Sequence, residues 1–251
     1  MRKSIMRDKA QSNILKAVRD TIPFLVVGGL LALLGASLLG NSTSAAEDPR
    51  LVPAALHDVV KTSEAQTAIL AGGCFWGVQG MFQHVDGVIN ATSGYAGGST
   101  DTATYDLVET GNTGHAEVVQ VTFDPRQISY GKLLQIYFSV AHDPTQVDRQ
   151  GPDVGTQYRS AIFPVNAEQA KVASDYIAQL ETAGVFKAKI ATSIETGKPF
   201  YKAEAYHQDY MVNNPTNPYI AFNEQAKIDN LKSYFPQFYR EKPVLASAGQ
   251  G

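Results

Sequence analysis

Residues 67–84 run from an apolar, strand-like segment through a double glycine into the opening of a helix, and the only cysteine of the 251-residue chain stands at the junction. Thr67-Ala68-Ile69-Leu70 reads as a short buried strand, Gly72-Gly73 as the turn, and residues 77–84 as the helix start. That unit commits the chain to a helix packed against a sheet. It also sets Cys74, within Gly72-Gly73-Cys74-Phe75-Trp76-Gly77, at a helix N-terminus, where free N–H groups and the helix dipole favour a thiolate. A pKa lowered from about 8.5 to about 6 would leave most of the thiol ionised at neutral pH. A lone thiol cannot form an internal disulfide, so Cys74 is either inert packing, as buried cysteines often are, or chemistry.

Further strand-like runs occupy residues 88–93, 116–123, 159–165 and 189–195, with helix signals between them. Ser129 caps a stretch whose Leu133, Leu134, Tyr137, Val140 and Ala141 share one face, and Asn166 with Gln169 forms a capping box before Ala170, Ala173, Ile177 and Leu180. This alternation predicts an α/β or α+β sandwich, one sheet packed by helices. Residues 67–240 make one catalytic domain, 47–66 a linker with a short helix near residues 56–61, and 241–251 a flexible tail, loose from Val244.

After Cys74 come Ser93-Gly94-Tyr95-Ala96-Gly97-Gly98, Thr113-Gly114-His115-Ala116-Glu117, His142-Asp143-Pro144-Thr145, Gly155-Thr156-Gln157-Tyr158-Arg159-Ser160 and Ala203-Glu204-Ala205-Tyr206-His207-Gln208. In this order and spacing the chain resembles the peptide methionine sulfoxide reductase A family, from about residue 68 to about residue 219. The resemblance implies an α+β fold, a two-layer α/β sandwich with a mixed sheet and a ferredoxin-like core, and an activity that reduces the S epimer of methionine sulfoxide, free or in proteins. No bound cofactor is implied, only an external thiol reductant.

The residue types suit that chemistry. Reducing a sulfoxide needs a nucleophile for the sulfur, proton donors for the oxygen and an apolar wall for the methyl group. Cys74 is the nucleophile candidate. Glu117, on the alternating segment that also carries Val119, Val121 and Phe123, falls on its more apolar face, where burial raises a carboxyl pKa. Tyr105 and Tyr158, two of twelve tyrosines, are further proton donors, and Phe75 and Trp76 beside the nucleophile suit an apolar wall. The resemblance implies these same roles for Cys74, Glu117, Tyr105, Tyr158, Phe75 and Trp76, and adds Asp153, in Gly151-Pro152-Asp153-Val154-Gly155, as a holder of the substrate backbone. His115 and His207 read as buried, hydrogen-bonded histidines rather than bases.

One feature departs from the family. Its members usually reset the enzyme with further cysteines near the C-terminus, one of them after Gly-Tyr in an Asn-Pro context. Here Asn214-Pro215-Thr216-Asn217-Pro218-Tyr219 is followed by Ile220, and no cysteine lies downstream. A Cys74 sulfenic acid must then be reduced from outside, by a thioredoxin-like protein, by glutaredoxin with glutathione, or by another dithiol.

Residues 1–46 hold Arg2, Lys3, Arg7, Lys9, Lys16 and Arg19 ahead of an uncharged run from Thr21 to Ala46 that ends in small residues. This is a secretory signal pattern, with an uncleaved membrane anchor as the competing reading. Either places the catalytic domain outside the cytoplasm, in the periplasm or cell envelope. The whole chain has a net charge of −3, and without the leader fifteen basic residues face twenty-two acidic ones, a poor nucleic-acid binder. His57, His84, His115, His142 and His207 show no metal-ligand spacing, so no metal is expected, and a monomer is expected. Gly94-Tyr95-Ala96-Gly97-Gly98 lacks the lysine of a phosphate loop and reads as a turn beside the site. Two rival functions use the same residues: a thiol peroxidase, which needs Cys74 but not Trp76, and a non-catalytic module that binds oxidised methionine and does not need Cys74.

Overall fold

A computed structural model describes residues 49–60 and 62–246. The apolar run becomes β1 (Gln66–Gly72), buried from Ala68 onward, and the helix after the double glycine is α1 (Phe75–Gln83). There follow β2 (Val88–Ala96), the one-turn α2 (Tyr105–Val108), β3 (Ala116–Phe123), α3 (Tyr130–Ile136), the hairpin β4 (Arg149–Gln150) with β5 (Asp153–Val154), and β6 (Ser160–Ile162). Then come α4 (Ala167–Thr182), β7 (Ser193–Ile194), β8 (Phe200–Lys202), α5 (Tyr210–Asn213) and α6 (Gln225–Tyr234), the last entered through a π-helical turn at Ile220–Glu224.

The sheet order is β7-β6-β1-β3-β2-β8. β3 runs antiparallel to β1, with Leu70 opposite Val119, and to β2, with Tyr95 opposite Glu117. β6 is antiparallel to β1, while β7 alone lies parallel to its neighbour, which makes the sheet mixed. The inner order β6-β1-β3-β2, with α1 after the first strand and α3 after the third, is the β-α-β-β-α-β arrangement of a ferredoxin-like core. The α+β fold and mixed sheet expected from the sequence are what is found.

Strand alternation sorts the core into two faces. Leu70, Val119, Val121 and Phe123 pack with Val78, Met81 and Phe82 of α1, Leu133 and Leu134 of α3, and Val172, Ala173 and Leu180 of α4. Ile69, Ala71, Ala116, Val118, Ala161 and Phe163 form a smaller cluster on the opposite side. The same alternation turns Glu117 toward the helix-covered face, in step with Val119 and Val121. Helix ends follow the sequence signals: Ser129 Oγ accepts the Lys132 N–H at 3.2 Å, and Asn166 Oδ1 accepts the Gln169 N–H at 2.9 Å. Gln169 itself reaches back to the Val165 N–H, one residue before the cap.

Several expectations change. No helix forms near residues 56–60, because the backbone there bonds to side chains of the domain instead of to its own turn. The Leu56 N–H donates to Gln179 Oε1, Ala54 O accepts from Gln179 Nε2, and Asp58 Oδ1 takes the Gly131 N–H. Val52 is buried, so this segment is strapped onto α3 and α4 rather than spanning open solvent. The expected loose tail is held as far as Ala246, with the Val244 N–H on Gln83 O and the Ala246 N–H on Asp209 Oδ1. The last two predicted strands shrink to β6 and β7, and the β4–β5 hairpin and β8 have no counterpart among the predicted strands. The leader and anchor reading of residues 1–46 lies outside the described residues; among those described, no helix is long and apolar enough to cross a membrane.

Candidate active site

The turn from β1 into α1 depends on Gly73, whose φ of +87° suits glycine and whose absent Cβ would stand 2.6 Å from the Gln150 side chain. This close approach brings the β4–β5 hairpin, and with it Asp153, against the turn that carries Cys74. Cys74 is the N-cap of α1 and is 9 % exposed. Two groups use the free N–H donors of that helix start. The Trp76 N–H bonds to the Cys74 thiol, and the Phe75 N–H donates to Glu117 Oε2 at 2.9 Å.

Electrostatically the site differs from the sequence expectation. Burial pushes the Cys74 thiol well above its ordinary value, the carboxyls of Glu117 and Glu224 push it further, and the Trp76 N–H opposes them without prevailing. Cys74 therefore rests as a thiol, not the thiolate that a helix terminus alone would favour. Glu117 is 3 % exposed, and its burial pushes the carboxyl up to about 8, against the pull of the Phe75 N–H. Glu117 therefore keeps a proton near neutral pH.

Tyr105, at the start of α2, and Tyr158, after Gly155 and Thr156, are half-buried. Burial first, then the neighbouring Glu109 and Glu117 for Tyr105, and Glu117 and Cys74 for Tyr158, raise both phenols, so each remains a hydrogen-bond donor. Phe75 is buried and its ring lies 5.0 Å from that of His207. Trp76 stacks on Tyr210 at 3.8 Å and meets Tyr219 edge-on at 6.1 Å, and its Nε1–H donates to His207 Nδ1 at 3.0 Å. Asp153 Oδ2 accepts from the Tyr219 hydroxyl at 2.5 Å, and burial raises the Asp153 carboxyl. All seven residues singled out in the sequence thus belong to one cluster, joined through Cys74, Glu117, His207 or Tyr219.

Other members of the cluster carried no assigned role in the sequence. His207, 1 % exposed, is kept neutral by burial and accepts from Trp76, so it orients that ring rather than taking protons from substrate. Glu204 receives the Tyr105 N–H at 3.0 Å and the Tyr95 hydroxyl at 2.8 Å, which fixes the start of α2. His207 and Glu204 lie in one of the quoted motifs, so their signal was visible. Tyr210, Tyr219 and Glu224 reach the site from the C-terminal segment, where nothing in the local pattern marks them. His115 bonds the Gly98 N–H and Ser99 O and supports the glycine-rich turn.

A family model for peptide methionine sulfoxide reductase matches residues 66–238. The peptide methionine sulfoxide reductase MsrA 2 of Mesorhizobium japonicum is 60 % identical over 181 residues, covering 72 % of this chain and 93 % of that protein. MsrA 2 of Synechocystis is 43 % identical over 208 residues, covering 82 % and 96 %. Among solved structures, methionine sulfoxide reductase A of Corynebacterium diphtheriae superimposes with a TM-score of 0.53 at 33 % identity, over 67 % of this chain and 93 % of that one. Reduced Mxr1 of Saccharomyces cerevisiae gives 0.55 at 34 % identity, over 64 % and 92 %. Because the matched region takes in every strand of the sheet and the whole cluster around Cys74, the chain belongs to the peptide methionine sulfoxide reductase family and reduces methionine sulfoxide to methionine.

Proposed function

We propose that Cys74 is the nucleophile, Glu117 the principal acid, and Tyr105 and Tyr158 its partners on the sulfoxide oxygen, with Phe75 and Trp76 cupping the methyl group and Asp153 holding the substrate backbone. The observation that carries this reading is the Glu117 carboxyl, protonated up to about pH 8 and bonded to the residue next to the nucleophile. A sulfoxide oxygen becomes a leaving group only as it is protonated, and a neutral buried carboxylic acid is the donor that step needs.

In the reaction, the Cys74 sulfur bonds the sulfoxide sulfur as its own proton is released, and Glu117 donates a proton to the oxygen. The oxygen, protonated by Glu117 and by the released thiol proton, leaves the substrate sulfur as water; that water adds to Cys74 Sγ, the sulfur–sulfur bond breaks to release methionine, and Cys74 ends as a sulfenic acid with a proton returned to Glu117. Oxygen passes from one sulfur to the other: methionine is reduced by two electrons and Cys74 is oxidised by two. An outside thiol then attacks the sulfenic acid, releasing water and forming a mixed disulfide, which a second thiol opens. The chain has no other cysteine for that role, and Ile220, after Tyr219, is buried among Met211 and Ile228. A thioredoxin-like protein, glutaredoxin with glutathione, or another dithiol fits the requirement.

The basic, then apolar, N-terminal segment supports work in the cell envelope, on oxidised proteins outside the cytoplasm. The test uses separated S and R methionine sulfoxide peptides with a dithiol supplied. Turnover of the S peptide alone, abolished in Cys74→Ser, is expected; turnover surviving that change would refute the assignment. Fractionation of cells expressing the full chain tests the location, and recovery of the protein in the cytosol would refute it.

A further inference from the structure

Glu224 closes the π-helical turn before α6, and Lys227 follows in the first turn of that helix. Both side chains are only 4 % exposed, and they meet as an ion pair, Glu224 Oε2 to Lys227 Nζ at 3.3 Å. A buried ion pair rarely stabilises a fold more than apolar residues of the same volume, so packing alone does not account for it. Oε1 lies 3.1 Å from the Tyr219 hydroxyl, which also reaches Asp153 Oδ2 at 2.5 Å. A phenol carries one proton, so both contacts are hydrogen bonds only when one of the two carboxyls is protonated as well.

The other end of the carboxylate presses on the nucleophile's helix. A Cβ at Gly77 would stand 1.4 Å from Glu224 Oε2, so residue 77, three past Cys74, leaves the space that the carboxylate fills. Glycine inside a helix costs about 1 kcal/mol relative to alanine, and α1 accepts that cost in its first turn. Oε2 accepts no hydrogen bond there.

We infer that Glu224 and Lys227 are a positioning pair of the reductase site: the carboxylate holds Tyr219 and Asp153 together, and the pair sets the field in which Cys74 releases its proton. This rests on Cys74 being the nucleophile. The groups acting on that thiol are Glu117 from β3, Asp153 from β5, Glu224 from the segment entering α6 and the Trp76 N–H; the phenols of Tyr105 from α2, Tyr158 from the turn before β6 and Tyr219 face it and are raised by it. After Glu117, which stays neutral up to about pH 8, Glu224 is the carboxyl with the largest effect on the thiol, and Lys227 is its ion-pair partner.

Because Cys74 is the only cysteine, the pH profile of iodoacetamide alkylation of the intact chain reports on this one thiol. Glu224→Gln removes a negative charge and should move the midpoint down by about one pH unit, while Lys227→Met strips the carboxylate of its counter-ion and should move it up by a similar amount. Where a single variant fails to fold because a buried charge is left alone, the double variant Glu224→Met with Lys227→Met carries the test, and its midpoint should lie below the wild-type one. A wild-type midpoint in folded Glu224→Gln or in the double variant would overturn the inference, since a merely structural pair changes stability without moving the profile. Such an unmoved profile, with sulfoxide turnover lost in Cys74→Ser, would overturn this inference alone; turnover surviving Cys74→Ser would overturn the site reading beneath it.

Discussion

Replacing Glu117 by glutamine separates catalysis from stability in opposite directions. The carboxyl titrates at about 8 in the folded protein against an ordinary value of 4.5. Below pH 4.5 both folded and unfolded chains hold the proton, and the buried neutral acid is not penalised. As the pH rises toward 8 the unfolded chain releases a proton that the native state keeps, so stability falls by about 1.4 kcal/mol for each pH unit, or about 3 kcal/mol by pH 7. Glutamine has the shape of the protonated acid, its carbonyl can still accept the Phe75 N–H, and it does not titrate. Glu117→Gln should therefore match the wild type near pH 4.5 and exceed it by about 3 kcal/mol at pH 7, an increase in Tm of about 6–12 °C for a domain of this size. Its single-turnover rate with a sulfoxide peptide should fall by about 10²–10⁴, the usual contribution of a general acid. Urea unfolding at pH 5, 7 and 8 measures the first effect and rapid-quench kinetics the second. A variant less stable than the wild type at pH 8 would mean that the carboxyl is ionised in the native state, and a variant with an unchanged rate would remove Glu117 from the mechanism.

Other perturbations have equally definite outcomes. Trp76→Phe loses the 3.0 Å bond to His207 while keeping a ring to stack on Tyr210, so KM for a sulfoxide peptide should rise about 5- to 10-fold with a smaller change in kcat; equal losses in both would place Trp76 in the chemical step. Gly94→Ala puts a methyl 2.3 Å from the Phe200 ring and 2.4 Å from Tyr201 O, which should loosen β8 from β2 and cost about 1–3 kcal/mol by thermal denaturation. Asn166→Ala removes the cap of α4 and should cost about 1 kcal/mol with sulfoxide turnover unchanged, as measured by urea unfolding and steady-state assay.

Legibility from sequence followed the range of the interactions involved. Ser129 and Asn166 announce their helices because a cap bonds within three residues, and Gly72-Gly73 announces the β1–α1 turn for the same local reason. Glu117 was legible as a buried acid because strand alternation alone assigns its face. The failures were long-range. Residues 56–60 looked helical in isolation, but Gln179 and the backbone of Gly131 take their polar groups. The helix-terminus argument for an ionised Cys74 counted the dipole but not the burial and the carboxyls of Glu117 and Glu224, which arrive from distant segments and outweigh it. Lys227 reads as an ordinary charge on a surface helix, and nothing near it in sequence shows that it is 3 % exposed and facing the site.

A thiol held in its protonated form has a bearing on survival as well as on rate. Peroxides and stray disulfides react with thiolates, and a buried neutral thiol is a slow target for both. In a chain with a single cysteine, indiscriminate oxidation would have no internal partner to reverse it, and over-oxidation to the sulfinic state would be permanent. By holding Cys74 as a thiol, its burial and the acids around it trade idle reactivity for a longer working life in the oxidant-rich conditions that create methionine sulfoxide.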